Sequence, residues 1–73
     1  MAKLPVISGK KAIKAFEKAG FVKCRQRGSH VNMKKEGEPV LLPVPLHREL
    51  KRSLLRDLIR DAGLTTEQFV DLL

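Results

Sequence analysis

The sequence predicts an α+β fold in the order α-β-β-β-α with a short helix added at the carboxyl end, its three-stranded antiparallel sheet packed on the helices. Three observations predict it. Two segments, Gly9–Ala19 and the stretch from Ser53 to Ala62, repeat apolar residues at helical spacing. Between them, Phe21–Lys35 alternates around a Gly28-Ser29 pair, which is a hairpin signature, and an apolar run at Val40-Leu41-Leu42 follows a turn signal. With 73 residues, the chain 1–73 is expected to form one domain, since so short a chain has too little interior to divide between two cores.

The first helix follows Ser8 and sets Ala12, Ile13, Phe16 and Ala19 on one face, with Lys10, Lys11, Lys14, Glu17 and Lys18 on the other. Gly20 supplies the residue that turns left-handed at a helix end, and Phe21 can fold back as the apolar contact after it. In the hairpin, glycine at the first central position suits a type II′ turn. With Gly28 and Ser29 as the loop, Arg27 is predicted opposite His30, Arg25 opposite Asn32 and Lys23 opposite Lys34. Those six side chains then share one face, while Val22, Cys24, Gln26, Val31 and Met33 face the helices. Lys23 beside Lys34 would repel mildly, a penalty that a bound phosphate removes.

Glu36-Gly37-Glu38-Pro39 reads as a turn, and Pro43 and Pro45 are expected to stop the third strand because neither donates to a ladder. Pro45–Arg52 reads as a loop or a poorly formed first turn. From Ser53, which can cap, the residues Leu54, Leu55, Leu58, Ile59 and Ala62 form the stripe of a second helix closed by Gly63. Thr65 and Gln68 have the spacing of a capping box, ahead of Phe69, Leu72 and Leu73.

Fifteen Lys and Arg against eight Asp and Glu leave a net charge of +7, a bias toward polyanions. Nucleic acid leads the candidate partners; a membrane surface competes, and an acidic protein is compatible with either. No long apolar run or secretory signal is present, so a cytoplasmic location is expected and no membrane partner. Cys24 is the only cysteine, which excludes an intramolecular disulfide and a zinc site of several thiolates.

His30 is the one side chain on the polar hairpin face of a type that ordinarily titrates near neutrality. With Lys23, Arg25, Arg27 and Lys34 around it to bind phosphate and stabilise developing negative charge, the constellation suits metal-independent RNA cleavage. A base removes the 2′-hydroxyl proton and that oxygen attacks the adjacent phosphate, chemistry that DNA cannot undergo. No carboxylates cluster near His30 to hold a metal, and no cofactor is expected. Ser29 and Asn32 complete the candidate RNA-binding set; Ser29 also serves the turn.

Plainer alternatives stand beside these. His30 reads equally as a solvated strand residue, and the cations as a solvated charged face. His47 reads as a surface loop residue that becomes a second acid or base if its loop folds over the hairpin. Cys24 reads as a small core residue, like Met33, Phe16 and Phe69. The same basic face would also serve a noncatalytic RNA-binding module, and the Lys-rich first helix raises a membrane-active peptide as a third class.

Arg25-Gln26-Arg27-Gly28-Ser29-His30, preceded by Ala19-Gly20-Phe21, resembles the signature of the HicA family of messenger-RNA interferase toxins. The resemblance extends upstream to Ser8-Gly9-Lys10 and downstream to Val44-Pro45-Leu46-His47, Glu49-Leu50-Lys51 and Leu55–Gly63. It implies a double-stranded-RNA-binding-domain-like fold, endoribonuclease activity with His30 as the catalytic residue, and neutralisation by a HicB-type antitoxin. Ser53 and Leu54 depart from the Gly-Thr pair common in the family before the second helix, and the segment after His47 looks short.

Overall fold

A computed structural model describes residues 3–73. Its elements are α1 (Gly9–Lys18), β1 (Val22–Arg27), β2 (His30–Lys34), β3 (Leu41–Pro45), α2 (Arg52–Asp61) and α3 (Thr66–Asp71), the predicted order. The strands pair antiparallel in the order β1-β2-β3, which leaves β1 and β3 as edges.

Local chemistry explains the helix ends. The Ser8 hydroxyl accepts from the Lys11 amide at 3.1 Å, satisfying one orphan donor at the start of α1. At the other end Gly20 has φ +101°, its amide reaches the Glu17 carbonyl, and the Phe21 amide reaches the Phe16 carbonyl, the two bonds of a Schellman turn. The Phe16 and Phe21 rings then meet at 5.9 Å. Gly63, φ +76°, closes α2 in the same way, and Thr65 with Gln68 forms the expected capping box on α3.

One face of the sheet is covered. Val31, Met33, Leu42 and Val44 alternate inward and are buried against Ile13, Phe16, Leu55, Leu58, Ile59 and Phe69. Phe16 lies at the centre, with its ring 5.0 Å from that of Phe69. Among the described residues no helix covers the opposite face of the sheet.

Three expectations need correction. Pro43 and Pro45 lie inside β3 rather than stopping it, paired with Asn32 and His30. The Leu46 amide donates to the Ser29 carbonyl, so in this register the even-numbered residues face β2 and both prolines present their missing donor to the open edge, where none is needed. Ser53 does not cap α2: Lys51 holds that position without a side-chain bond. Where α2 starts is set by tertiary contacts instead, since the buried Leu50 is tied by its amide to the Ile7 carbonyl at 2.8 Å. Leu54 consequently falls at the margin of the buried stripe and is exposed.

Candidate functional site

The hairpin turn has glycine where it needs it. Gly28 adopts φ +57° and Ser29 does not go positive, the φ pattern of a type II′ turn. Arg27 stands opposite His30, Gln26 opposite Val31 and Arg25 opposite Asn32, as predicted. The Gln26 side-chain amide donates to the Gly28 carbonyl at 3.1 Å and braces the turn.

Below Arg25 the register changes. A β-bulge between Lys23 and Arg25 places Lys23 opposite Met33 and Val22 opposite Lys34, so the predicted Lys23–Lys34 pair does not form. The extra residue exchanges the two faces for everything before it. Lys23 therefore lies on the helix side, lining a groove with Lys10, Lys14 and Gln26, while Val22 comes to the open face and is 57% exposed. Cys24, expected in the core, is exposed at the bulge, its thiol donating to the Asn32 carbonyl at 3.3 Å. Nothing in the alternation of residues 21–35 announces an inserted residue, since Val22 and Cys24 keep the apolar spacing of a regular strand although the bulge turns Val22 outward.

The open face thus carries Arg25, Arg27, His30, Asn32 and Lys34. Among the described residues the ion pairs are those of Arg60 with Asp57 and Asp61, so the cations of this face have no carboxylate partner. His30 begins β2 between Arg27 and Pro45 on the neighbouring strands. Lys34 is four residues further on, about 13 Å along the strand, too far to share a phosphate with His30. Beside it the strands present Val22 and Leu41, both more than half exposed.

Folding adds His47 to this set. The chain leaves β3 through Leu46, whose amide bonds the Ser29 carbonyl at 2.6 Å, and the His47 carbonyl accepts from the Gly9 amide at 2.9 Å. These two bonds hold the loop over the hairpin tip, and the His47 ring lies 6.5 Å from that of His30, at 71° to it. The approach depends on Gly9: a Cβ built there would lie 1.9 Å from the Pro45 carbonyl oxygen. The structural need for Gly9 had no sequence signal beyond its place after a helix cap.

At 6.5 Å between centres the two rings make no hydrogen bond to each other. The two imidazoles thus lie near each other at the hairpin tip, on a face whose cations have no carboxylate partner among the described residues. Among the described residues no three His, Cys, Asp or Glu side chains gather into a metal site.

The family model for the HicA toxin of bacterial toxin–antitoxin systems matches residues 9–64, which spans both histidines and every element but α3. A chain of a toxin–antitoxin complex from Streptococcus pneumoniae is similar in structure, with a TM-score of 0.69 and 34% sequence identity over 80% of this chain and 98% of that one. Among curated proteins no match is found.

Proposed function

Because the chain belongs to the HicA toxin family of bacterial toxin–antitoxin systems, we propose that it is a metal-independent endoribonuclease that cleaves messenger RNA with His30 and His47 as its acid–base pair. The observation that carries this reading is the approach of the two rings to 6.5 Å over the hairpin tip. One imidazole, unprotonated, takes the proton of a 2′-hydroxyl as that oxygen bonds to the adjacent phosphorus. The other, protonated, gives its proton to the 5′-oxygen as the phosphorus–oxygen bond to it breaks. A 2′,3′-cyclic phosphate and a 5′-hydroxyl result. Arg27 and Arg25 supply the positive field for the charge that builds on the phosphoryl oxygens. Lys34 and Asn32 extend the RNA track along β2, while Ser29 keeps its place in the turn; Lys23 leaves this track for the groove on the helix side.

The partner follows from the same face. We propose that a HicB-type antitoxin covers the open sheet, placing acidic groups over Arg25, Arg27 and Lys34 and apolar ones over Val22 and Leu41. A complex that leaves His30 open to solvent would refute this. Among the described residues no helix is long and apolar enough to cross a membrane.

The decisive experiment incubates purified protein with a long RNA in excess chelator and compares it with His30→Ala and His47→Ala. Each variant is expected to lose about 10²- to 10⁴-fold in cleavage rate while keeping its RNA affinity. Because both groups serve one displacement at phosphorus, their losses should not add in the double variant. Cleavage by both variants at the parent rate would overturn the assignment. Salt-sensitive binding with no cleavage by the parent would instead identify a noncatalytic RNA-binding module.

A further inference from the structure

A cleft of the molecule lies away from the two histidines. It has a volume of about 610 Å³ and lies between the amino-terminal strap, α2 and the start of α3, lined by Lys3, Arg52, Arg56, Thr65, Thr66 and Glu67. Arg52 is fixed there by donating from Nε to the Leu4 carbonyl at 2.9 Å, which leaves its terminal nitrogens free of that bond. Among the described residues neither Lys3, Arg52 nor Arg56 has a carboxylate within ion-pair distance, and Glu67 is the one acid in the lining. Unpaired cations and two threonine hydroxyls around one cleft form a set of donors for phosphate oxygens.

Its position relative to the histidines gives it a use. Residues 4–9 run alongside residues 47–52, tied at Gly9–His47, Ile7–Leu50 and Leu4–Arg52. The five residue steps from one end tie to the other set them at most about 17 Å apart. Arg48 and Lys51, both exposed, lie on the intervening segment. Arg52 and Arg56 then continue along α2 at a four-residue spacing, about 6 Å of rise on one face, which is of the order of the separation between neighbouring phosphates in an extended strand. The next residue of that stripe, Arg60, is neutralised by Asp57 at 3.3 Å and Asp61 at 4.0 Å, so the track of free charge ends there.

We infer that the Lys3–Arg52–Arg56 cleft is a second phosphate-binding site that anchors the RNA a few nucleotides away from the bond being cut. The inference rests on the reading of the chain as an RNA-cleaving protein. It makes the molecule a binder of extended RNA, with the hairpin tip holding the reacting phosphate and the cleft holding the flanking strand. Arg48 and Lys51 set cations between the cleft and the histidines, with Glu49 the one acid of that segment, and an acidic protein segment as occupant is an outcome of the test.

The test measures binding of a 30-nucleotide single-stranded RNA as a function of salt, in the His30→Ala background so that no substrate is lost. Removing Lys3 and Arg56 together (Lys3→Gln with Arg56→Gln) is expected to make the slope of log K against log salt shallower by about 1.4, two phosphate contacts at 0.7 each. Circular dichroism and the unfolding midpoint should match the background, since both side chains are exposed and unpaired. The same double charge removal on α1, at Lys11 and Lys14, should change the slope less. An unchanged slope in the cleft variant, or an equal change in the α1 variant, would overturn the site. So would a cleft variant that binds RNA like its background but loses the antitoxin. If the background itself shows no salt-dependent RNA binding, it is the RNA reading that fails and not the cleft alone.

Discussion

Replacing Gly9 with alanine separates two physical expectations of opposite sign. Gly9 is the first residue of α1, and alanine is a better helix former than glycine by about 1 kcal/mol, so local propensity predicts a stabilised protein. The tertiary structure predicts the reverse. The added Cβ would meet the Pro45 carbonyl oxygen at 1.9 Å, with the Pro45 carbon and Leu46 Cα at 2.9 and 3.0 Å, all of it backbone that cannot swing aside. Restoring an ordinary carbon–oxygen contact of about 3.3 Å requires a retreat of roughly 1.4 Å. A movement of that size stretches the 2.9 Å bond from the Gly9 amide to the His47 carbonyl beyond hydrogen-bonding distance. Overpacking of about 1–3 kcal/mol and the lost hydrogen bond, about 1 kcal/mol, together outweigh the propensity gain, for a net destabilisation of about 1–3 kcal/mol. Urea unfolding at 25 °C with the slope held common to both proteins measures it. Because His47 rides on the same loop, RNA cleavage measured well below the unfolding midpoint should fall by up to about 10²-fold, the cost of misplacing a reacting group by about 1 Å. A Gly9→Ala protein as stable as the parent, or more so, would refute the close packing of α1 on Pro45–His47 and with it the placement of His47.

Arg27→Ala should slow cleavage more than Lys23→Ala, because the bulge turns Lys23 to the helix side; equal effects in single-turnover cleavage would contradict the register. Phe16→Ala, at the centre of the core between Phe21 and Phe69, should cost about 3–5 kcal/mol in urea unfolding. For a domain of this length that is a large share of a total on the order of 4–11 kcal/mol. Thr65→Ala removes the capping box of α3 and should cost about 0.5–2 kcal/mol in urea unfolding.

Much of the fold was legible because its signals are local. Ser8, Gly20-Phe21 and Gly63 mark helix ends through bonds that reach only a few residues, and Gly28 marks a turn that only a positive φ allows. The alternation of β2 and the stripes of α1 and α2 report burial directly, since the periods of strand and helix are fixed. His30, Arg25, Arg27 and Asn32 were placed on one face for that reason.

What the sequence by itself determined, then, is the order of elements, the hairpin tip and the nomination of His30. Only the tertiary structure decided three other things. The bulge at Cys24 moved Lys23 off the open face and brought Val22 onto it, because a single inserted residue inverts the facing of a strand without disturbing its composition. The prolines of β3 were accepted because strand order makes that strand an edge, which no residue of the strand itself specifies. And His47 came within 6.5 Å of His30, ring centre to ring centre, because the loop after β3 is bonded at once to the hairpin turn and to the first residue of α1. That meeting joins residues 9, 29 and 47, far apart in the chain; no local period encodes it, and only closure of the whole domain brings the two rings together.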